Sequence, residues 1–295
     1  MPKTIAIPSS PWFTKSNFSL VRAIGVSSSP FTGKFRTQEY DSVYWSGTVS
    51  LPPMSRTQAA NWQAFLLELT GTSNYFIFGD PDAKTPQGTY NADVLKGDIR
   101  VNNGTNVTSV SLSFSGSTIT ATGTPFSGIE VNDYITVSGA TNEANAGTFK
   151  IVTKTSSTVV VVDADLTTEA NTAACKIRQN VKGSTALSLE ASSNTAAGSI
   201  KKGDYLAIYN GAAGGKPIQL VMATTDANET AQSGSPNHFS VAIQPKLRQD
   251  LTDGHYVGFS EGFNFSRFRL SQNTVDWDAD RVSNYGITFD FIEAL

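Results

Sequence analysis

The sequence predicts a mainly β protein: a β-sandwich domain with one α-helix, interrupted by two tandem small β-barrel or sandwich modules. Three observations predict it. Charged residues make up only 16% of the 295-residue chain, against about 25% in ordinary soluble domains, and Ser, Thr, Asn and Gly fill the polar positions. Large aromatic residues crowd both ends of the chain and thin out between about Leu95 and Asp250. Within that thin middle, one pattern occurs twice.

The elements follow in chain order. Residues 1–54 read as extended, with Phe18, Leu20 and Ile24 set among polar residues and Tyr44, Trp45, Val49 and Leu51 forming an aromatic and β-branched run that Pro52 and Pro53 stop. A helix over 55–70 comes next. Ser55 suits the N-cap, Gln58 stands three residues on as in a capping box, and Gly71 ends it. Ala59, Trp62, Phe65, Leu66 and Leu69 form one apolar stripe. Trp62, Phe65, Leu66 and Leu69 are assigned to the core, each worth about 1.5–3 kcal/mol on full burial. Tyr75 to Phe78 is a short apolar strand closed by Gly79-Asp80-Pro81.

From Tyr256 the aromatics return as Phe259, Phe263, Phe265, Phe268, Trp277, Tyr285, Phe289 and Phe291. Tyr285, Ile287, Phe289 and Phe291 alternate as a half-buried strand does, which places Phe289 and Phe291 in the core. A terminal segment of roughly 40 residues is too short to stand alone. The expected domain is therefore residues 1–95 together with 256–295, and the middle is an insertion.

The repeated pattern is Ile129-Glu-Val-Asn-Asp133-Tyr134-Ile135 and Ile200-Lys-Lys-Gly-Asp204-Tyr205-Leu206, at an offset of 71 residues. A Gly/Ala-rich turn, a strand, a polar hairpin and a Val-containing strand follow in each case, so the shared order of elements carries the duplication. The expected modules, each a small β-barrel or sandwich, are 96–178 and 179–255.

Composition and spacing argue against several chemistries. A net charge of -3 and a pI near 5.4 give no basic field for phosphates, so specific nucleic-acid binding is not expected. One cysteine, Cys175, and two histidines, His238 and His255, cannot make a multi-ligand zinc site; Cys175 reads as a small buried side chain. No signal sequence is legible at the N-terminus, and no run of 18 apolar residues predicts a membrane span.

Asn210-Gly211-Ala-Ala-Gly214-Gly215-Lys216-Pro217 looks like a phosphate loop at Gly215-Lys216, but Asn210 replaces the first glycine and Pro217 the magnesium-binding hydroxyl. Asp276, Asp278 and Asp280 have calcium-loop spacing, yet Arg281 and Ile287 occupy the glycine and glutamate positions, so an acidic row on one strand face is expected. His255 near Asp253 lacks a nucleophile elbow, and nothing selects Asp80, Asp82 or Glu261 as paired catalytic carboxylates. The expectation is a protein that is not an enzyme and uses no cofactor or metal.

Arg36-Thr-Gln-Glu-Tyr40, Trp45-Ser-Gly-Thr-Val-Ser-Leu51-Pro-Pro-Met, Arg56-Thr-Gln-Ala-Ala-Asn-Trp62-Gln-Ala-Phe65-Leu66 and Phe76-Ile-Phe-Gly-Asp80-Pro together resemble the distal tail proteins of long-tailed bacteriophages. Lys202-Gly-Asp-Tyr205-Leu and Ile243-Gln-Pro-Lys-Leu247-Arg resemble the small β-barrel insertions of that family. The resemblance implies a structural virion protein, assembled in the host cytoplasm, that closes into a ring, usually of six copies, with decorating domains often of oligonucleotide/oligosaccharide-binding (OB) type, which makes the module 179–255 OB-like. It implies as partners further copies of the chain, the tail tube protein, the tail-tip hub or baseplate, and the tape measure protein. The alternative function is a carbohydrate-binding adhesion module, with Tyr134, Tyr205 and Tyr209 stacking on sugar rings.

Overall fold

The computed structural model describes residues 2–83, 85–89, 99–102, 104, 106–191, 198–211, 215–228, 238–259, 266–280 and 284–294. Glu261, Phe263, Phe265, Gly214 and Arg281 lie outside them, as does the side chain of His238. The chain is mainly β, in antiparallel sheets, with one α-helix among the described residues. It divides into two compact units, Met1–Lys84 with Phe265–Leu295, and Thr85–Asn264. An interrupted domain is thus present, with boundaries shifted from 95/256 to 84/265. The shift has a physical cause: the Gln87 and Gly88 amides donate to the Asp204 carboxylate, and Val257 pairs with Ile208.

The first unit holds β1 (Lys15–Ser28), β2 (Phe35–Ser50), α1 (Arg56–Glu68), β3 (Phe76–Phe78), β16 (Ser266–Leu270), β17 (Asp278–Ala279), β18 (Tyr285–Gly286) and β19 (Thr288–Glu293). The main sheet runs β1-β2-β19-β16-β3, and β17 and β18 form a separate two-stranded ribbon. Where the sequence suggested two stacked sheets, α1 supplies the second layer. Gln58 accepts bonds from the Ser55 amide at 3.2 Å and the Ser55 hydroxyl at 3.1 Å, fixing the helix start. Thr70 and Gly71, both at positive φ, turn the chain away at its end.

The helix stripe lies on the aromatic face of the sheet. Trp62 meets Phe65 edge-on at 5.8 Å between centroids, Phe65 meets Phe76 at 5.6 Å, and Trp62 lies 6.3 Å from Phe289. Phe291 meets Phe268, Phe78 and Phe18 at 5.1, 5.2 and 5.2 Å. Trp62, Phe65, Leu66, Leu69, Phe289 and Phe291 are all buried. Alternation explains the last two: along β19 every second residue is buried, and Phe289 and Phe291 face Val49 and Gly47 of β2.

The second unit contains two barrels. The first uses β5 (Asn106–Ala121), β6 (Tyr134–Ser138), β7 (Gly147–Lys154) and β8 (Val159–Arg178). The long β8 closes it, pairing near Val160 with β7 and the end of β5, and near Ile177 with β6 and the start of β5. Leu112, Phe114, Ile119, Ile135, Ile151 and Val160 fill its interior.

The other barrel uses β4 (Ile99–Val101), β9 (Ala186–Ala191), β11 (Tyr205–Asn210), β12 (Lys216–Ala223), β14 (His238–Gln244) and β15 (Val257–Gly258), in the order β15-β11-β12-β14-β9-β4. A bridge between Arg100 and Tyr256 closes the ring, and Val101 donates to the His255 carbonyl at 2.8 Å. A ribbon of β10 (Ser199–Ile200) and β13 (Ala227–Asn228) flanks it.

The modules are nested, not simply consecutive. β4 precedes the first barrel in the chain but pairs with β9 of the other, and Ile99 and Val101 belong to that barrel's core. Burial of two β-branched side chains draws this short strand across, at about 1.5–3 kcal/mol each.

The duplication is carried by topology. In one barrel β6, β7, β8 and β5 are successive neighbours; in the other β11, β12, β14 and β9 are. The repeated turn is matched bond for bond. Asp133 accepts from the Glu130 amide and Asp204 from the Lys201 amide, each at 2.8 Å. The Ile151 amide donates to the Asp133 carbonyl at 2.7 Å, and the Ala223 amide to that of Asp204 at 2.9 Å. Asn132 and Gly203, each just before the Asp, both take positive φ.

Candidate functional site

Two surface features stand out, one on each unit. On the first unit, the β1–β2 hairpin runs in register from Lys15 opposite Ser50 to Ser28 opposite Phe35, with one irregularity between Arg22 and Ile24. Its inner half is part of the core sheet. Its outer half is not: Ile24, Val26, Phe31, Phe35 and Tyr40 are exposed, Phe31 at 96% and Phe35 at 71%. Cross-strand partners share a face, so Ile24 and Val26 lie with Phe35, Thr37 and Glu39 on one side. β1 is the end strand of the sheet.

On the second unit, a cleft of about 230 Å³ opens where the first barrel's Asp133 turn meets the other barrel. Glu130, Asn132, Asp133, Tyr134 and Lys150 line one side; Thr225, Asp226, Asn228, Phe239 and Ser240 line the other. A chain of hydrogen bonds fixes its floor. Gln179 Nε2 donates to Ser188 Oγ at 3.0 Å, the Ser188 and Ser240 hydroxyls lie 2.9 Å apart, and Ser240 Oγ donates to Asp133 Oδ1 at 3.0 Å. With Ser188 donating onward, every hydroxyl proton in the chain has an acceptor.

The rim carboxylates are paired. Glu130 lies 3.3 Å from Lys154 Nζ and Asp226 3.0 Å from Lys201 Nζ. The Lys202 amide, then the Lys201 side chain, hold the Asp226 carboxyl below its ordinary range. Tyr134 is half-buried; burial and then the charge of Asp163 push its phenol up, so it stays neutral, with Thr225 hydrogen-bonded to it.

The residues the sequence singled out separate here. Tyr134 lies at the cleft. Tyr205 and Tyr209 are buried in the other barrel, and Tyr209 packs on Tyr256 at 5.9 Å. Both alternate along β11 with the core residues Leu206 and Ile208 and are covered on the strand's other face, so sugar stacking is not assigned to them. Asp133, Lys150, Asp226, Asn228 and Ser240 were not singled out as site residues; the doubled Asp-Tyr pair was the one signal pointing there.

Asp276, Asp278 and Asp280 are exposed, and Asp280 accepts from the Asn284 amide at 2.7 Å as a turn cap. Among the described residues no group of three or more His, Cys, Asp or Glu could hold a metal. Lys216 opens β12 and pairs with Asn210, so the described part of the glycine-rich stretch is a hairpin turn. His255 is buried, which pushes its imidazole down, and its Nδ1 has no hydrogen-bond partner among the described residues.

No protein-family model matches the chain, and no curated protein sequence matches it.

Proposed function

We propose that this chain is a structural, non-enzymatic component of a phage tail, forming a ring between the tail tube and the tail-tip hub or baseplate. The reading begins from the resemblance of residues 36–81 to distal tail proteins. The observation that most supports it is the outer half of the β1–β2 hairpin. A terminal strand whose outer edge pairs with no other strand among the described residues is a template for another chain, and the exposed row of Ile24, Val26 and Phe35 beside it is apolar. The occupant we assign is a second copy of this chain, because a head-to-tail contact repeated by rotation closes into a ring.

In this reading the interrupted first unit builds the ring and the barrels decorate it, the second being of the OB kind. The tape measure protein is a further partner, and the place of action is the virion tail. The test is sedimentation of the wild type against the double variant V26D/F35D. Because both side chains are exposed, the variant keeps its fold and sediments as a single chain while the wild type sediments as an oligomer. A variant that assembles as the wild type does overturns the assignment of the hairpin.

A further inference from the structure

The duplicated Asp turn has two different surroundings. In the barrel containing Asp204, a segment of the chain itself lies on the turn: the Gln87 and Gly88 amides donate to the carboxylate at 2.6 and 3.1 Å, and Thr89 exchanges bonds with Ser199. That turn is covered so tightly that a Cβ on Gly88 would stand 2.1 Å from the Ser199 carbonyl oxygen. At the Asp133 turn the carboxylate is met by the other barrel, Ser240 Oγ donating to Oδ1 at 3.0 Å, and the cleft of about 230 Å³ opens beside this contact. The fold has thus repeated a hydrogen-bonding turn, covered one copy with a segment of its own backbone, and left a small polar cavity beside the other.

The chemistry of the cavity selects among ligands. Asn132 and Asn228, one from each barrel, are exposed amides that donate and accept. Asp226 is an acceptor held in place by Lys201 and Lys202, and Lys150 is a donor. Tyr134 adds an aromatic ring fixed by its place in β6. Closely mixed donors and acceptors beside one aromatic ring suit a molecule whose every polar group is a hydroxyl, both donor and acceptor. With Glu130 and Asp226 each paired to a lysine, no surplus of positive charge is present to hold a phosphate or sulfate. The volume lies below the roughly 300 Å³ at which drug-sized pockets begin, which suits a single ring. The bonded floor leaves few groups to be ordered on binding.

We propose that the cleft at the Asp133 turn binds one neutral sugar ring of a glycan, with Asn132, Asn228 and Asp226 bonding its hydroxyls and Tyr134 against its apolar face. This goes beyond the ring reading and is independent of it, since it concerns the inserted unit alone. The experiment is a titration of the full chain with glucose, galactose and N-acetylglucosamine, and their β-linked disaccharides, followed by saturation-transfer NMR and calorimetry. Saturable binding with a Kd of about 1 mM is expected for at least one of them. Asn228→Ala should weaken it about tenfold, and Tyr134→Phe, which keeps the ring and loses the hydroxyl, a few-fold. Circular dichroism verifies that each variant folds, with Asn228→Asp as the milder replacement should Asn228→Ala fail. Absence of saturable binding by every sugar overturns the proposal, and so does binding that folded cleft variants leave unchanged.

Discussion

Glu169 shows how one side chain can pin a loop. The Thr172 hydroxyl, the Asn145 side-chain amide and the Thr141 and Asn142 backbone amides all donate to its carboxylate, which lowers its pKa from 4.5 to about 2. A carboxylate depressed by folding contributes stability above its unfolded pKa and loses it as pH falls through the folded value. The stability difference between wild type and Glu169→Gln is therefore expected to be full above about pH 5 and to shrink towards pH 2, as read by thermal melts across that range. Gly47 is a steric counterpart. A Cβ there would meet the Asn17 carbonyl oxygen at 2.1 Å and Phe291 Cζ at 2.6 Å. Gly47→Val is expected to cost at least about 1–3 kcal/mol in urea unfolding, the range for overpacked sites.

At the scale of elements, Phe65 tests the seating of the helix on the sheet. Phe65→Ala leaves a void between Phe76 and Phe289 and should cost about 3–5 kcal/mol, measured by denaturant unfolding. The helix was legible in the sequence because local signals agree: a Ser55–Gln58 cap, one apolar stripe and Gly71 at the end. β19 was legible from its strict alternation. β5 was not picked out, although Val110, Leu112 and Phe114 alternate with serines and are buried, and of β8 only the Val159–Asp163 end was read; their register shifts repeatedly along the pair, so no single period runs the length of either strand. The nesting was also hidden. Ile99–Val101 is three residues long, and what places it is pairing with a distant strand, which no local window contains. The cleft fared likewise: the doubled Asp-Tyr pair could be read, but Ser240, which bonds Asp133, comes 107 residues later.

At the scale of the molecule, the architecture is one of insertions within insertions, with one barrel inside the other and both inside the sheet-and-helix domain. Such a plan keeps the ends of the chain in one unit and presents the inserted part as a body that can vary without disturbing the domain that receives it. It suits an assembly protein whose oligomeric contacts and decorations are served by different parts of the chain. The central claim is self-assembly of the first unit, and the most direct measurement is the mass of the purified full chain by light scattering across a concentration series, with negative-stain images of the same samples. The account predicts a closed homo-oligomer, six copies by the distal-tail resemblance, visible as rings. A mass equal to one chain at every concentration, with no rings on the grid, would contradict it.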